Sequence, residues 1–109
     1  MKKIIAVISI ASAISLTSCA SNPWANIPYQ EANEWKSIGV PVNNAQEFRQ
    51  NGFTPSDAKP WIQSGINAPI TIISWHQAGF TPKEAAKWQE KGFTLQKAID
   101  LKKQGLTVE

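Results

Sequence analysis

Apolar residues recur along the chain at a nearly constant interval, which defines a repeating unit of 13 residues. In each unit a small or branched apolar residue is followed three residues later by a large one, which we call the large residue. A glycine comes four residues after the large residue, and an apolar residue directly follows the glycine. The small or branched residues are Ala32, Ala45, Ala58, Ile72, Ala85 and Ala98, and the large residues are Trp35, Phe48, Trp61, Trp75, Trp88 and Leu101. The glycines are Gly39, Gly52, Gly65, Gly79, Gly92 and Gly105, and the residues after them are Val40, Phe53, Ile66, Phe80, Phe93 and Leu106. Because these six are all the glycines of the chain, their shared register indicates a tandem repeat.

The fifth unit carries the clearest signals for the start and the end of a helix. Thr81 is a favourable N-cap residue, and Glu84 three residues later completes a capping box. Gly92 can adopt a left-handed conformation just after the helix, and Phe93 then takes the apolar position of a Schellman turn. These signals predict a short helix over residues 82–91.

The same signals, with local departures, predict an all-α fold of six short helices in a compact helix-turn-helix array. We expect them near 28–38 and 42–51, from Thr54 onward, after Pro69, over 82–91 and near 95–104. The fourth helix is apolar on several sides and therefore belongs at the centre. Pro60 lies past the first turn of the third helix, so it should loosen or kink that helix. Two units together form a 26-residue hairpin, and residues 27–109 are predicted to be one right-angled array or short superhelix.

The repeat is similar to short Trp-x-x-x-Gly-Phe-Thr-Pro-x-Glu-Ala repeats of an uncharacterised type in bacterial proteins. The resemblance spans the domain after the N-terminal segment, and it implies no activity.

Residues 1–18 have the pattern of a secretory signal peptide, with two lysines before a short apolar run. The run ends in Leu16-Thr17-Ser18-Cys19, which resembles the lipobox of bacterial lipoproteins. The resemblance implies cleavage before Cys19 and attachment of acyl chains, such as palmitate, to that residue. The alternative is an ordinary signal peptide with an incidental cysteine. Ala20 after the cysteine favours the outer membrane, by analogy with enterobacterial lipoprotein sorting.

The short segment after the lipobox, residues 19–26, is predicted to be a lipidated tether between the membrane and the repeat domain. It contains Trp24, which lies outside the repeat register. Trp24 could pack on the first helix, or it could rest in the membrane interface, where tryptophan is favoured.

The basic charge of the chain comes mostly from its targeting segment. The whole chain has a formal net charge of +3, but Lys2 and Lys3 leave with the signal peptide. Residues 19–109 then hold 9 basic and 8 acidic residues, a net charge of +1. We therefore expect no nucleic-acid partner.

Few residues offer catalytic chemistry. His76 is the only histidine and Cys19 the only cysteine, so the sequence predicts neither a multi-histidine metal site nor a cofactor site. The recurring carboxylates Glu31, Asp57 and Glu84 are explained as helix-capping groups. We expect the protein not to be an enzyme.

Lys83, Lys87 and Lys91 lie four residues apart and therefore on one face of the fifth helix. We call this set the lysine face; it is either a solvated surface or a contact surface. The leading hypothesis is a membrane-anchored lipoprotein whose repeat domain is a non-catalytic interaction module for another envelope protein. The alternative is a structural envelope component that contacts peptidoglycan, lipopolysaccharide or lipid headgroups through the lysine face. A periplasmic and a surface-exposed orientation both fit the sequence.

Overall fold

The computed structural model describes residues 22–108, and these residues form an all-α domain without strands. The six helices each have nine residues: α1 (Tyr29–Ser37), α2 (Val42–Gln50), α3 (Pro55–Gln63), α4 (Pro69–Gln77), α5 (Pro82–Glu90) and α6 (Leu95–Lys103). The predicted number and positions of the helices are confirmed. The predicted signal peptide and the lipobox-like segment with Cys19 lie outside the described residues.

Threonine hydroxyls cap the N-termini of three helices. Thr81 accepts a hydrogen bond from the backbone N–H of Glu84 at 3.1 Å, and the Glu84 carboxylate accepts one from the backbone N–H of Thr81 at 3.0 Å. Thr54 and Asp57 form the same capping box at α3. At α6 only half of the box exists, because Lys97 stands where a carboxylate would be needed. Capping of this kind satisfies backbone donors that a helix leaves free at its start.

Every helix ends in the same Schellman turn, which makes the connections short and alike. After α5, Gly92 has φ +86°, its N–H donates to the carbonyl of Gln89 at 2.9 Å, and the N–H of Phe93 donates to the carbonyl of Trp88 at 3.0 Å. The other five units repeat this pair of hydrogen bonds. A positive φ is a conformation that glycine adopts without a Cβ penalty. The regular spacing of glycine therefore determines where each helix stops.

The first five helices form two rows, in which a helix packs against the one two units away. α1 contacts α3 and α3 contacts α5 in one row, while α2 contacts α4 in the other. α4 also contacts α5 across the rows. The structural repeat is thus a pair of units, as expected for a short superhelix built from 26-residue pairs.

The three apolar columns of the repeat form the core between the helices. All six small or branched residues are buried, as are the large residues of the first five units and the residues after the first four glycines. The rings of Trp35 and Phe48 stack at a centroid distance of 5.2 Å with an interplanar angle of 7°. Each fully buried side chain of this size contributes about 1.5–3 kcal/mol. Short helices that would be marginal alone are therefore stabilised by tertiary contact.

α3 and α4 show how the array accommodates departures from the pattern. α3 continues through Pro60 with the same length as the other helices, and the Pro60 carbonyl accepts hydrogen bonds from the N–H and the hydroxyl of Ser64. α4 buries four residues where no other helix buries more than two: Pro69, Ile72, Ile73 and Trp75. This burial agrees with the prediction that α4 is apolar on more than one side.

Candidate interaction surface

A recurring polar link joins consecutive units on the surface of the array. In this link, the residue that directly follows the large residue of one unit contacts a residue of the preceding unit. The contacted residue stands four positions before the large residue of that preceding unit. Arg49 bonds Glu31 in this way, with 2.8 Å between Nε and Oε2, and Lys102 lies 3.7 Å from Glu84. Lys102 also lies 4.5 Å from the centroid of the Phe80 ring and donates to the carbonyl of Gly79 at 3.1 Å. Lys102 therefore packs over the turn that directly precedes α5.

The three recurring carboxylates have different roles. Asp57 and Glu84 cap their helices as predicted, but Glu31 does not. α1 begins after Pro28 without a side-chain cap, and the Glu31 carboxylate instead accepts hydrogen bonds from Nε1 of Trp35 at 2.9 Å and from Arg49. The interpretation of Glu31 as a capping group is wrong, because the proline at the N-cap has no backbone N–H to donate to the Glu31 carboxylate and no hydroxyl for the other half of the box.

Glu84 belongs to both the capping box and the link between units. The hydrogen bond from the backbone of Thr81 lowers the pKa of Glu84, and the nearby Lys102 lowers it further against the opposing effect of desolvation. The Glu84 carboxylate is thus held in its ionised form.

His76 occupies the place in α4 that Arg49 and Lys102 occupy in their helices. It is exposed, and its ring meets the rings of Phe53 and Trp61 edge-on at centroid distances of 5.0 and 6.1 Å. Within residues 22–108, no group of three or more histidine, cysteine or acidic side chains could hold a metal ion. The surroundings of His76 are those of a surface packing residue.

The N-terminal end of the array is covered by the segment before α1. Ile27 is buried there, and Trp24 is half-buried against the core with Nζ of Lys36 5.3 Å from the centroid of its ring. Of the two alternatives for Trp24, the structure shows packing at the end of α1.

The C-terminal end is more open. Phe93 and Leu101 are only half-buried, and Leu106 is 50% exposed, although the equivalent residues of earlier units are buried. Together with Trp88 and Val108 these residues line an open groove of about 310 Å³, which we call the terminal groove. It lies where the next unit of the repeat would cover the apolar columns.

The lysine face borders this groove. Lys91 lines the terminal groove itself, and Lys83 and Lys87 line an adjoining cleft that also includes Val108. No acidic side chain of the described residues forms an ion pair with these three lysines. Residues 67–108 carry six lysines and three acidic residues, a net charge of +3, whereas residues 22–66 have a net charge of −1 from three basic and four acidic residues. Positive charge and exposed apolar surface therefore coincide at one end of the molecule.

The sequence predicted the lysine face, but it did not predict the terminal groove beside it. The signal was present in the register, because Leu106 and Val108 begin a seventh unit whose place in the array is open. Lys102 is not part of the lysine face, because its contacts to Glu84 and Phe80 make it part of the array's own packing.

None of the described helices is both long and apolar enough to cross a membrane. Comparisons with protein-family models, with curated proteins and with solved structures found no match to this chain.

Proposed function

We propose that this chain is a lipid-anchored, non-catalytic interaction module of the bacterial cell envelope, which binds another envelope protein through the C-terminal end of its helical array. The lipobox-like segment ending at Cys19 supports the anchor, and Ala20 supports the outer membrane. The observation that carries the binding proposal is the terminal groove, where half-buried and exposed apolar side chains lie beside the lysine face. Apolar surface rimmed by charge is typical of protein contact sites.

The array is suited to this role. A two-row helical array presents side chains at fixed spacings on a rigid surface, which is how repeat proteins usually bind partners. The anchor would hold the N-terminal end of the array close to the membrane, since only residues 20–26 separate Cys19 from the packed residue Ile27.

Photo-crosslinking in living cells tests this function. A photoreactive residue is placed in turn at Leu106, beside the groove, and at exposed positions of other helices, such as Gln63 and Gln50, in the intact protein. We expect one recurrent protein adduct, identified by mass spectrometry, that depends on the position of the probe. Adducts to lipid or cell-wall material alone from every position would contradict an interaction module.

The second candidate function is a structural envelope component that contacts lipid headgroups, lipopolysaccharide or peptidoglycan through the lysine face. The observation that favours it is the position of Lys83, Lys87 and Lys91 on one side of α5 without acidic partners among the described residues. Reversal of these three charges should then abolish envelope association of a non-lipidated form. Unchanged association of that variant would exclude this function.

A further inference from the structure

The terminal groove borders α5 at register places that face another helix inside the array. Inside the array, Glu34, Ser37 and Ile38 of α1 line a cleft together with Pro55, Ser56 and Lys59 of α3. The same register places on α5 are taken by Lys87, Glu90 and Lys91. Lys87 and Lys91 line clefts with Val108, which stands at the register place of Pro55 in a seventh unit. A helix two units beyond α5 would therefore lie in the terminal groove, as α3 lies beside α1.

The charges around this position specify what such a helix must carry. In the first and fifth units, the residue four positions before the large residue is a glutamate, Glu31 or Glu84. Each of these glutamates forms an ion pair with a basic residue of the next unit. In the sixth unit this place is held by Lys97, which is exposed. In a helix at the seventh position, the residue directly after the large apolar residue would thus lie near Lys97. The first turn of that helix would lie near Lys87 and Lys91. These three lysines outnumber Glu90, the acidic residue at the register place of Ser37, so the position favours acidic side chains.

We propose that the terminal groove binds an acidic amphipathic helix of a partner protein in this seventh-helix position. The inference rests on the proposed function, because it specifies the partner that the interaction module recognises. The bound helix would have a small residue against the core, a large apolar residue three positions later, and an acidic residue directly after that. Further acidic residues in its first and second turns would face the lysines of α5. This is recognition of a helix in a groove, with apolar anchors for affinity and charge for selectivity.

The repeat itself supplies the probe for a binding experiment. The acidic probe is a labelled peptide of residues 80–93 with Lys83→Glu, Ala86→Glu and Gln89→Glu, which places glutamate at the three positions that would face lysines. The basic control peptide keeps Lys83 and carries Ala86→Lys and Gln89→Lys. Binding to the full chain in phosphatidylcholine nanodiscs is followed by fluorescence anisotropy. We expect saturable binding of the acidic probe and affinity at least tenfold lower for the basic control.

Charge reversal on the protein tests whether the groove is the binding place. The triple variant Lys87→Glu, Lys91→Glu and Lys97→Glu should bind the acidic probe about tenfold or more weakly and should gain affinity for the basic control. Lys97→Glu also supplies the carboxylate missing from the capping box at Thr94, so this substitution favours the helix itself. Lys59→Glu on α3 reverses a single charge at an exposed lysine away from the groove. It is the control for each of the three reversals made singly, and it should leave probe binding unchanged.

Four outcomes would overturn the inference. These are no binding of the acidic probe, equal binding of the two peptides, equal loss of binding in the Lys59→Glu control, or displacement of the probe by phosphatidylglycerol vesicles that bind the groove more tightly. The last result would assign the surface to anionic lipid. If the probe fails while in-cell crosslinking still gives a recurrent protein adduct at Leu106, the acidic-helix inference is wrong and the proposed function stands. A recurrent adduct only from another helix face would also overturn the C-terminal end as the binding surface.

Discussion

The guanidinium group of Arg49 in α2 donates a 2.8 Å hydrogen bond to the carboxylate of Glu31 in α1, eighteen residues earlier in the chain. The same relationship recurs between Lys102 and Glu84, at the other end of the array. Both links join neighbouring units of the repeat. They show that the repeat register determines surface contacts as well as the apolar core.

This relationship predicts that a third link can be introduced at His76. In the unit before His76, the residue at the linked position is Asp57. His76 also contacts Phe53, in the same way that Lys102 contacts Phe80. His76→Arg should therefore pair with Asp57 and raise the unfolding free energy by about 0.2–1 kcal/mol, the usual range for an exposed ion pair. Urea denaturation at neutral pH measures the change.

The control for this prediction is a double-mutant cycle with Asp57→Asn, because Asp57 also takes part in the capping box of α3. The cycle separates the new pair from the loss of the cap. A coupling energy of zero would mean that the linked position does not recur at the third and fourth units.

Gly92→Val should destabilise the domain through the backbone alone. An added Cβ at this glycine would meet no atom within 4 Å, so no steric clash is involved, but φ is +86°. A residue with a Cβ loses about 1–2 kcal/mol in the left-handed conformation, and a β-branched residue should lose at least as much. Thermal unfolding measures the loss. Gly92→Asn is the milder control, since asparagine tolerates positive φ better; an unchanged melting temperature in the valine variant would contradict the role of Gly92.

The stability contributed by Glu84 should depend on pH in a defined direction. Its pKa in the folded protein lies below the ordinary value of 4.5, chiefly because of the Thr81 backbone hydrogen bond. A lowered pKa stabilises the folded state above the unfolded-state value, and this contribution is lost as the pH falls through the folded-state value. The difference in unfolding free energy between the wild type and Glu84→Gln should therefore be constant near pH 6–7 and shrink below about pH 4.5.

Glu90→Gln is the matched control for Glu84→Gln. It removes the same charge from the same helix at a residue outside the capping box. If both variants show the same pH dependence, the effect reflects total charge and not the box.

Cys19→Ser should remove the lipid anchor. Because the lipobox resemblance assigns both cleavage and acylation to the cysteine, the variant should accumulate as an uncleaved or unlipidated precursor. Metabolic labelling with palmitate and the electrophoretic mobility of the protein measure this. Normal labelling of the serine variant would refute the anchor.

Much of the fold could be predicted from the sequence because each helix carries its own boundaries. The threonine caps and the glycine turns are local signals, and the four helices predicted with both limits lie within about one residue of their observed limits. The lysine face was predictable for the same reason, since its spacing follows from the geometry of a single helix. The role of Glu31 was not, because Arg49 reaches it only once α1 and α2 have packed.

The elements of this protein follow from its local sequence: six helices, their ends, their apolar faces and the order in which they repeat. Local hydrogen bonds and conformational preferences control these features, and they act over a few residues. Which helices pack together, and therefore which apolar residues stay open, depends on contacts between residues far apart in the chain. Leu106 and Phe80 hold the same place in the repeat, yet Phe80 is buried and Leu106 is half exposed. The difference arises because the burial of a residue depends on which helix covers it. Only the packing of the helices shows that, among the described residues, no helix covers Leu106 as fully as Phe80 is covered.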